Sequence, residues 1–246
     1  MTVPQASPVS IEPDERKCPK CKGMGFLQYD VPPGHRLFKE ITPCPVCGPA
    51  RQQEYLARIC GLSDEMRDWT FANTRRTEGN AQAYDTAQAL AANPQWLYSL
   101  QGAFGTGKTR LLTCLVNAGR AHGWTSVYVT MAELLDHLRR AYGPNIEHME
   151  FDGLWDKVIN ARILALDECD RFSPTAWARE KFFELVDARY RRGAECLTAF
   201  ATNAEIDSLD GYLASRMRGR NSWVFELTGA DLRQVDTKEA TRYGRE

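Results

Sequence analysis

The sequence predicts an α/β fold, a mostly parallel sheet flanked by helices, joined to a small N-terminal module built on cysteines. Three observations carry this. From Trp96 onward, short apolar runs alternate with stretches of helical periodicity, the pattern of strands covered by helices on both faces. The first run leads into Gly102-Ala103-Phe104-Gly105-Thr106-Gly107-Lys108-Thr109, so a G-x-x-x-x-G-K-T segment sits where a strand turns into a helix. Near the N-terminus, Cys18-Pro19-Lys20-Cys21 and Cys44-Pro45-Val46-Cys47 form two C-P-x-C pairs, each closely followed by glycine.

Taken in order, residues 1–16 are rich in proline and polar side chains and read as a flexible tail. Residues 17–49 form the cysteine module. Residues 50–75 read as a helical connector: a helix from Ala50 to about Ile59, a second helix capped by Ser63, and Trp69 and Phe71 as anchors onto the main domain. That domain, 76–246, opens with an alanine-rich helix from Thr77 to about Ala92, stopped by Pro94. The periodicity then predicts a strand over 96–100, the glycine loop with a helix to Gly123, a strand over 125–130 and a helix over 131–142. A helical piece near 151–160, a strand over 162–167, a helix over 174–192, a strand over 195–201, a helix ending near Arg220 and a strand over 222–227 complete it.

A chain of 246 residues with 43% hydrophobic residues buries one good core and carries a small appendage. The net charge of −1 rules out a global basic field, so any nucleic-acid contact must be local. No apolar run is long enough to span a membrane and the N-terminus lacks the apolar segment of a signal peptide, so, with the G-x-x-x-x-G-K-T segment of intracellular nucleotide sites, the sequence predicts a cytoplasmic chain. In that reducing compartment, paired cysteines point to metal rather than disulfides. Cys18, Cys21, Cys44 and Cys47 suit the four-thiolate cage of structural Zn²⁺, with iron in the same cage as the alternative. Cys60, Cys114, Cys169 and Cys196 read as ordinary buried residues.

The glycine loop lets successive backbone N–H groups point inward, and the following helix adds its positive end to the same concavity. Gly102 to Thr109 thus form a phosphate cradle, with Lys108 reaching the β- and γ-phosphates and the Thr109 hydroxyl holding Mg²⁺. Ile163-Leu164-Ala165-Leu166-Asp167-Glu168 is an apolar strand ending in two carboxylates, on the side of an open sheet where ligands bind. Asp167 is the second magnesium residue, mostly through water, and Glu168 the base that activates the attacking water. Asp170 and Arg171 read as helix-entry residues. Asn203, at the end of the next strand, suits a hydrogen bond to the γ-phosphate, and is equally a good turn residue. Arg216, Arg218, Arg220 and Arg233 offer guanidinium groups for the charge on a transferred phosphoryl group, or a solvated face.

The order of glycine loop, Leu-Asp-Glu strand, Thr202-Asn203 strand end and Ser215-Arg216-Met217-Arg218 resembles the AAA+ ATPases of the DnaC/DnaI helicase-loader type, with the IstB transposition helpers as close cousins. The likeness covers roughly residues 60–235. It implies ATP as the nucleotide, an ATP-dependent homo-oligomer in which Arg216 completes a neighbour's site, and Arg233 as a second functional arginine. It also implies a replicative DNA helicase and single-stranded DNA as partners, and a domain without the full C-terminal helical lid. The cysteine module is similar in kind to the zinc-binding, helicase-contacting domain of the DnaI branch and departs from the helical one of DnaC. In such loaders an extra helix between the second strand and the acidic strand touches single-stranded DNA; here Arg139, Arg140, Tyr142 and Phe151 lie in that stretch, and an ordinary packed helix is the other reading. Two rivals stand beside the loader: a transposase helper on duplex DNA with the same core, and a non-catalytic nucleotide-binding adaptor.

Overall fold

The computed structural model of the chain describes residues 18–22, 26–28, 32, 41–47, 61–141, 155–171 and 175–232. The chain divides into two compact units, Met1–Tyr55 and Leu56–Glu246. In the smaller unit, β1 (Phe26–Gln28) and β2 (Ile41–Pro43) pair antiparallel, with Phe26 opposite Pro43 and Gln28 opposite Ile41. One cysteine turn precedes β1 and the other follows β2, so the hairpin brings both turns to the same end.

The larger unit begins with α1 (Asp64–Arg67), whose first turn is capped by the Ser63 hydroxyl accepting from the Met66 amide. It continues with α2 (Ala81–Ala92), β3 (Trp96–Gly102), α3 (Lys108–Ala121), β4 (Ser126–Thr130) and α4 (Met131–Ala141). After a helical stretch at 155–160 come β5 (Ile163–Asp167), α5 (Ala176–Arg191), β6 (Leu197–Thr202), α6 (Gly211–Met217) and β7 (Ser222–Leu227). The five strands β3 to β7 are parallel, in the order β4-β5-β6-β3-β7. β5 and β6 are buried throughout and β3 over Leu97–Leu100, as strands covered on both faces must be. α2 supplies Ala83, Ala87 and Leu90 to the core, and α3 supplies Leu111, Leu112 and Leu115. Leu62, Met66 and Phe71 pack into the same cluster, so the stretch around α1 is part of the larger unit's core.

Several boundaries correct the sequence reading. The helix expected from Thr77 begins at Ala81, because the Asn80 carboxamide accepts from the Thr77 amide at 2.7 Å and donates to the Arg75 carbonyl, holding 77–80 in a turn. The helix expected to end near Arg220 stops at Met217, where the Ser222 hydroxyl takes the Arg216 carbonyl at 3.0 Å. The strand expected to end at 100 runs on to Gly102, in register with β7. The strand expected from 195 starts at Leu197 because Gly193–Glu195 forms a 3-10 turn. The helix expected over 50–59 lies outside the described residues.

Candidate nucleotide site and four-cysteine centre

The sheet order decides what meets the glycine loop. β6 lies between β3 and β5, so the carboxyl ends of all three converge at the start of α3. Gly102, Gly105 and Gly107 have φ of 140°, 76° and 97°, backbone that side-chain-bearing residues rarely adopt, and this lets the loop wrap a phosphate-sized concavity. The Thr106 hydroxyl donates to the Ala103 carbonyl at 2.9 Å and closes the turn. A cleft of about 380 Å³ opens over the loop, lined by Phe104, Gly105, Gly107, Lys108 and Thr109 together with Asp167, Glu168 and Asn203. The structure thus brings together residues far apart in sequence.

Inside it, the buried Lys108 ammonium donates to the Gly102 and Ala103 carbonyls at 2.6 and 2.7 Å, folded against its own loop. The Thr109 hydroxyl donates to Asp167 Oδ2 at 2.7 Å. A hydroxyl and a carboxylate joined this way are the hard oxygen donors that Mg²⁺ prefers, so the pair fits the ion. Tyr128 on β4 donates to the same Oδ2 at 2.8 Å, and the Glu168 amide holds Oδ1 at 2.8 Å. Burial and the Asp167 charge push the Tyr128 phenol far above its ordinary value, so it stays a donor and fixes the carboxylate.

Glu168 follows β5 with φ of 51°, and its carboxylate pairs with Arg171 at 2.9 Å. The Arg171 guanidinium also lies over the exposed Phe104 ring. Asp170 accepts from the Asn203 amide at 3.1 Å and faces its carboxamide at 3.4 Å. The expectation that Asp170 and Arg171 enter a helix is corrected, because α5 starts at Ala176 with Thr175 as its cap. Tyr128 and Asp170 carry no local sequence signal, since contacts with neighbouring strands assign them, whereas Arg171 is assigned by Glu168 three residues before it.

The cleft is also lined by residues the sequence motifs did not single out for it. Trp69 lies under the Arg110 guanidinium at 4.4 Å, Arg110 donates to the Asn73 carbonyl and the Thr74 hydroxyl, and Arg75 and Asn80 complete the wall. Arg216 does not line this cleft. It lies on α6, ion-paired with Asp187 at 3.2 Å, while Arg218 pairs with Asp207 and Arg220 is exposed. Arg233, Tyr142 and Phe151 fall outside the described residues. Arg139 pairs with Asp136 and lies over the Trp177 ring.

In the smaller unit the sulfur atoms of Cys18, Cys21, Cys44 and Cys47 all lie within 4.8 Å of one another. Cys18 and Cys44 are 3.7 Å apart and Cys21 and Cys47 3.3 Å. A tetrahedral cage with Zn–S bonds of about 2.3 Å has edges of about 3.8 Å, so the set fits the ion. The thiols shift as a set, Cys18 and Cys44 lowered first by hydrogen bonds from the Cys21 and Cys47 backbone amides, and Cys47 raised first by its hydrogen bond with Cys21. Four thiolates at this spacing repel one another, and a divalent cation is what makes them compatible.

Residues 54–220 match the family described as IstB-like ATP binding protein, which is well over half of the chain. The chain belongs to this family. Among curated proteins, this IstB-like chain is 26% identical over 175 residues to the chromosomal replication initiator protein DnaA of Campylobacter fetus, covering 69% of the chain and 38% of that protein. It is 25% identical over 125 residues to the replicative helicase loader DnaI of Bacillus subtilis, covering 51% of the chain and 39% of the loader. The chain therefore spans less than half the length of these relatives. A solved structure of the replication initiator DnaA bound to AMPPCP and single-stranded DNA superposes with a TM-score of 0.62 at 20% identity, over 76% of this chain and 57% of the other. The fold is the AAA+ ATPase fold. Among the described residues no helix is long and apolar enough to cross a membrane.

Proposed function

We propose that this IstB-like protein is an ATP-dependent loader that places a replicative DNA helicase on single-stranded DNA during replication initiation. The observation that carries the reading is the meeting of Lys108, Thr109, Asp167, Glu168 and Asn203 in one cleft. Its support from relatives is the likeness to a helicase loader and to replication initiators. ATP lies with its phosphates on the loop and its base toward Trp69, Asn73 and Arg75. Lys108 swings from the loop carbonyls to the β- and γ-phosphates, and Thr109 with Asp167 holds Mg²⁺, which neutralises phosphate charge when bound. Glu168 takes the proton of the attacking water once Arg171 releases it, and Asn203, held by Asp170, bonds the γ-phosphate.

In this reading Arg216 acts on the site of a neighbouring copy, with Arg233 as a second phosphate contact, and ATP shifts the population from free chains to an oligomer. Residues 17–49 bind zinc and hold the helicase, 50–75 lead from that module into the ATPase and supply part of its core and cleft wall, and 76–246 carry the rest of this cytoplasmic ATPase. Glu168→Gln is expected to cut hydrolysis about 10²–10⁴-fold while nucleotide binding persists, as for loss of a general base; equal rates would favour the non-catalytic adaptor.

The family match to IstB-like proteins favours one other reading, a transposase helper that assembles on duplex DNA. Size-exclusion chromatography with light scattering separates the two. The chain is mixed with the host's replicative helicase, with and without ATP and a single-stranded oligonucleotide. A stable complex with the helicase is the expected result. No complex, with ATP-dependent assembly on duplex DNA instead, overturns the loader.

A further inference from the structure

Arg216 is held in a cage whose members lie on two helices, α5 and α6. Its guanidinium carbon lies 4.8 Å from the centroid of the Tyr190 ring and 5.1 Å from that of Tyr212. One terminal nitrogen meets Asp187 Oδ1 and the Tyr212 hydroxyl, each at 3.2 Å. The Tyr212 hydroxyl itself donates to Asp187 Oδ1 at 2.8 Å, and Arg191 pairs with the other carboxylate oxygen. Phe183 packs edge-on against Tyr212, and Trp96 lies against Tyr190. The Arg216 Nε is buried without a hydrogen-bond partner, and its side chain is 36% exposed.

This arrangement is costly for a surface residue with only a structural role. An exposed ion pair contributes little, and ordering an arginine costs about 2 kcal/mol of rotamer freedom. Here two rings, a carboxylate and a phenol fix one arginine and leave part of its fork facing solvent. Two arginines share the Asp187 carboxylate, so the cluster of Arg191, Arg216 and Asp187 keeps one excess positive charge. The free edge is thus oriented and cationic before any partner arrives.

We propose that Asp187, Tyr190 and Tyr212 are positioning residues that present Arg216 to the γ-phosphate of a neighbouring copy. The inference rests on the proposed trans-acting role of Arg216. A phosphoryl group in transfer gains most from a guanidinium that needs no reorganisation, and small misplacements of such a group cost rate steeply.

The test uses full-length chains in pairs, with ATP and a single-stranded oligonucleotide. The acceptor chain carries R216A, so its own site hydrolyses only with an arginine from its neighbour. The donor carries E168Q, so it binds ATP without hydrolysing it. Adding R216A to the donor should abolish the stimulated rate. Adding D187N or Y212F to the donor should lower it about tenfold, an effect of misplacement rather than loss. Moving D187N onto the acceptor should leave the rate as it was. If the R216A donor works as well as the intact one, the trans reading itself fails and the cage has no catalytic role. If the R216A donor fails but D187N and Y212F donors work fully, the cage proposal alone is overturned. Equal loss with D187N on either chain also overturns it, because a positioning role belongs to the donor only.

Discussion

Lys22 and Gly48 hold equivalent places, each directly after the second cysteine of its pair. Lys22 sits at φ of 51°, in the left-handed region where a side chain costs roughly 1 kcal/mol and glycine costs nothing. The exposed Lys22 side chain offers no compensating contact in the described structure. Lys22→Gly should therefore stabilise the metal-loaded turn by about 0.5–1 kcal/mol, net of the entropy glycine adds to the unfolded chain. The full chain should then need about two- to fivefold more chelator to lose half its zinc; an unchanged midpoint would mean that the left-handed turn stores no strain. At this scale the sequence was most legible where chemistry is local. The loop from Gly102 to Thr109 and the Asp167-Glu168 pair are contiguous motifs, and the fold brings them into one cleft. Tyr128 and Asp170 were not legible, because each acts on a residue of another strand.

Elements were legible in kind and less so in extent. Strand β7 falls where the apolar run predicts it, at Ser222–Leu227, whereas α2 starts four residues late because one asparagine side chain outcompetes the first helical turn. The strand order was not legible, since burial on both faces makes β3, β5 and β6 read alike. A single side chain joins three elements in the finished fold. Arg189 on α5 is wholly buried and donates to the Thr198 hydroxyl of β6, to the Leu197 carbonyl, and to the carbonyls of Val158, Ile159 and Ala161. Those last three are the open carbonyls where the 155–160 helix ends, so a cation there also meets the negative end of the helix dipole. Burial lowers the guanidinium to about 10, still well above neutral pH, so it stays charged. Arg189→Met fills the space but leaves five acceptors without their donor, at about 1–3 kcal/mol each where water cannot enter, partly offset because the buried charge and its desolvation cost are removed too. The expected net loss is about 3–5 kcal/mol, in the range for breaking a buried charged network, read as a lower urea midpoint. A change within about 1 kcal/mol, the size of a single net hydrogen bond, would show that water replaces the guanidinium.

The whole molecule is two units held up by different physics. The larger has a sheet covered by helices and a continuous apolar cluster, enough to stand on hydrophobic burial alone. The smaller has a two-stranded hairpin and four cysteines, and a hairpin of that size is marginal in water by itself. With zinc on the four cysteines, as proposed, the metal would add on the order of 10 kcal/mol to the folding of this unit, as in small four-ligand sites. Removing zinc from the full chain with a chelator should therefore unfold the N-terminal unit and leave the ATP-induced rise in melting temperature of the larger unit unchanged. Proteolysis in the chelated state should clip the segment before residue 56 and spare the rest. If chelation instead abolished the ATP-induced shift, the two units would be one cooperative structure, and the metal would support the nucleotide cleft as well as its own cage.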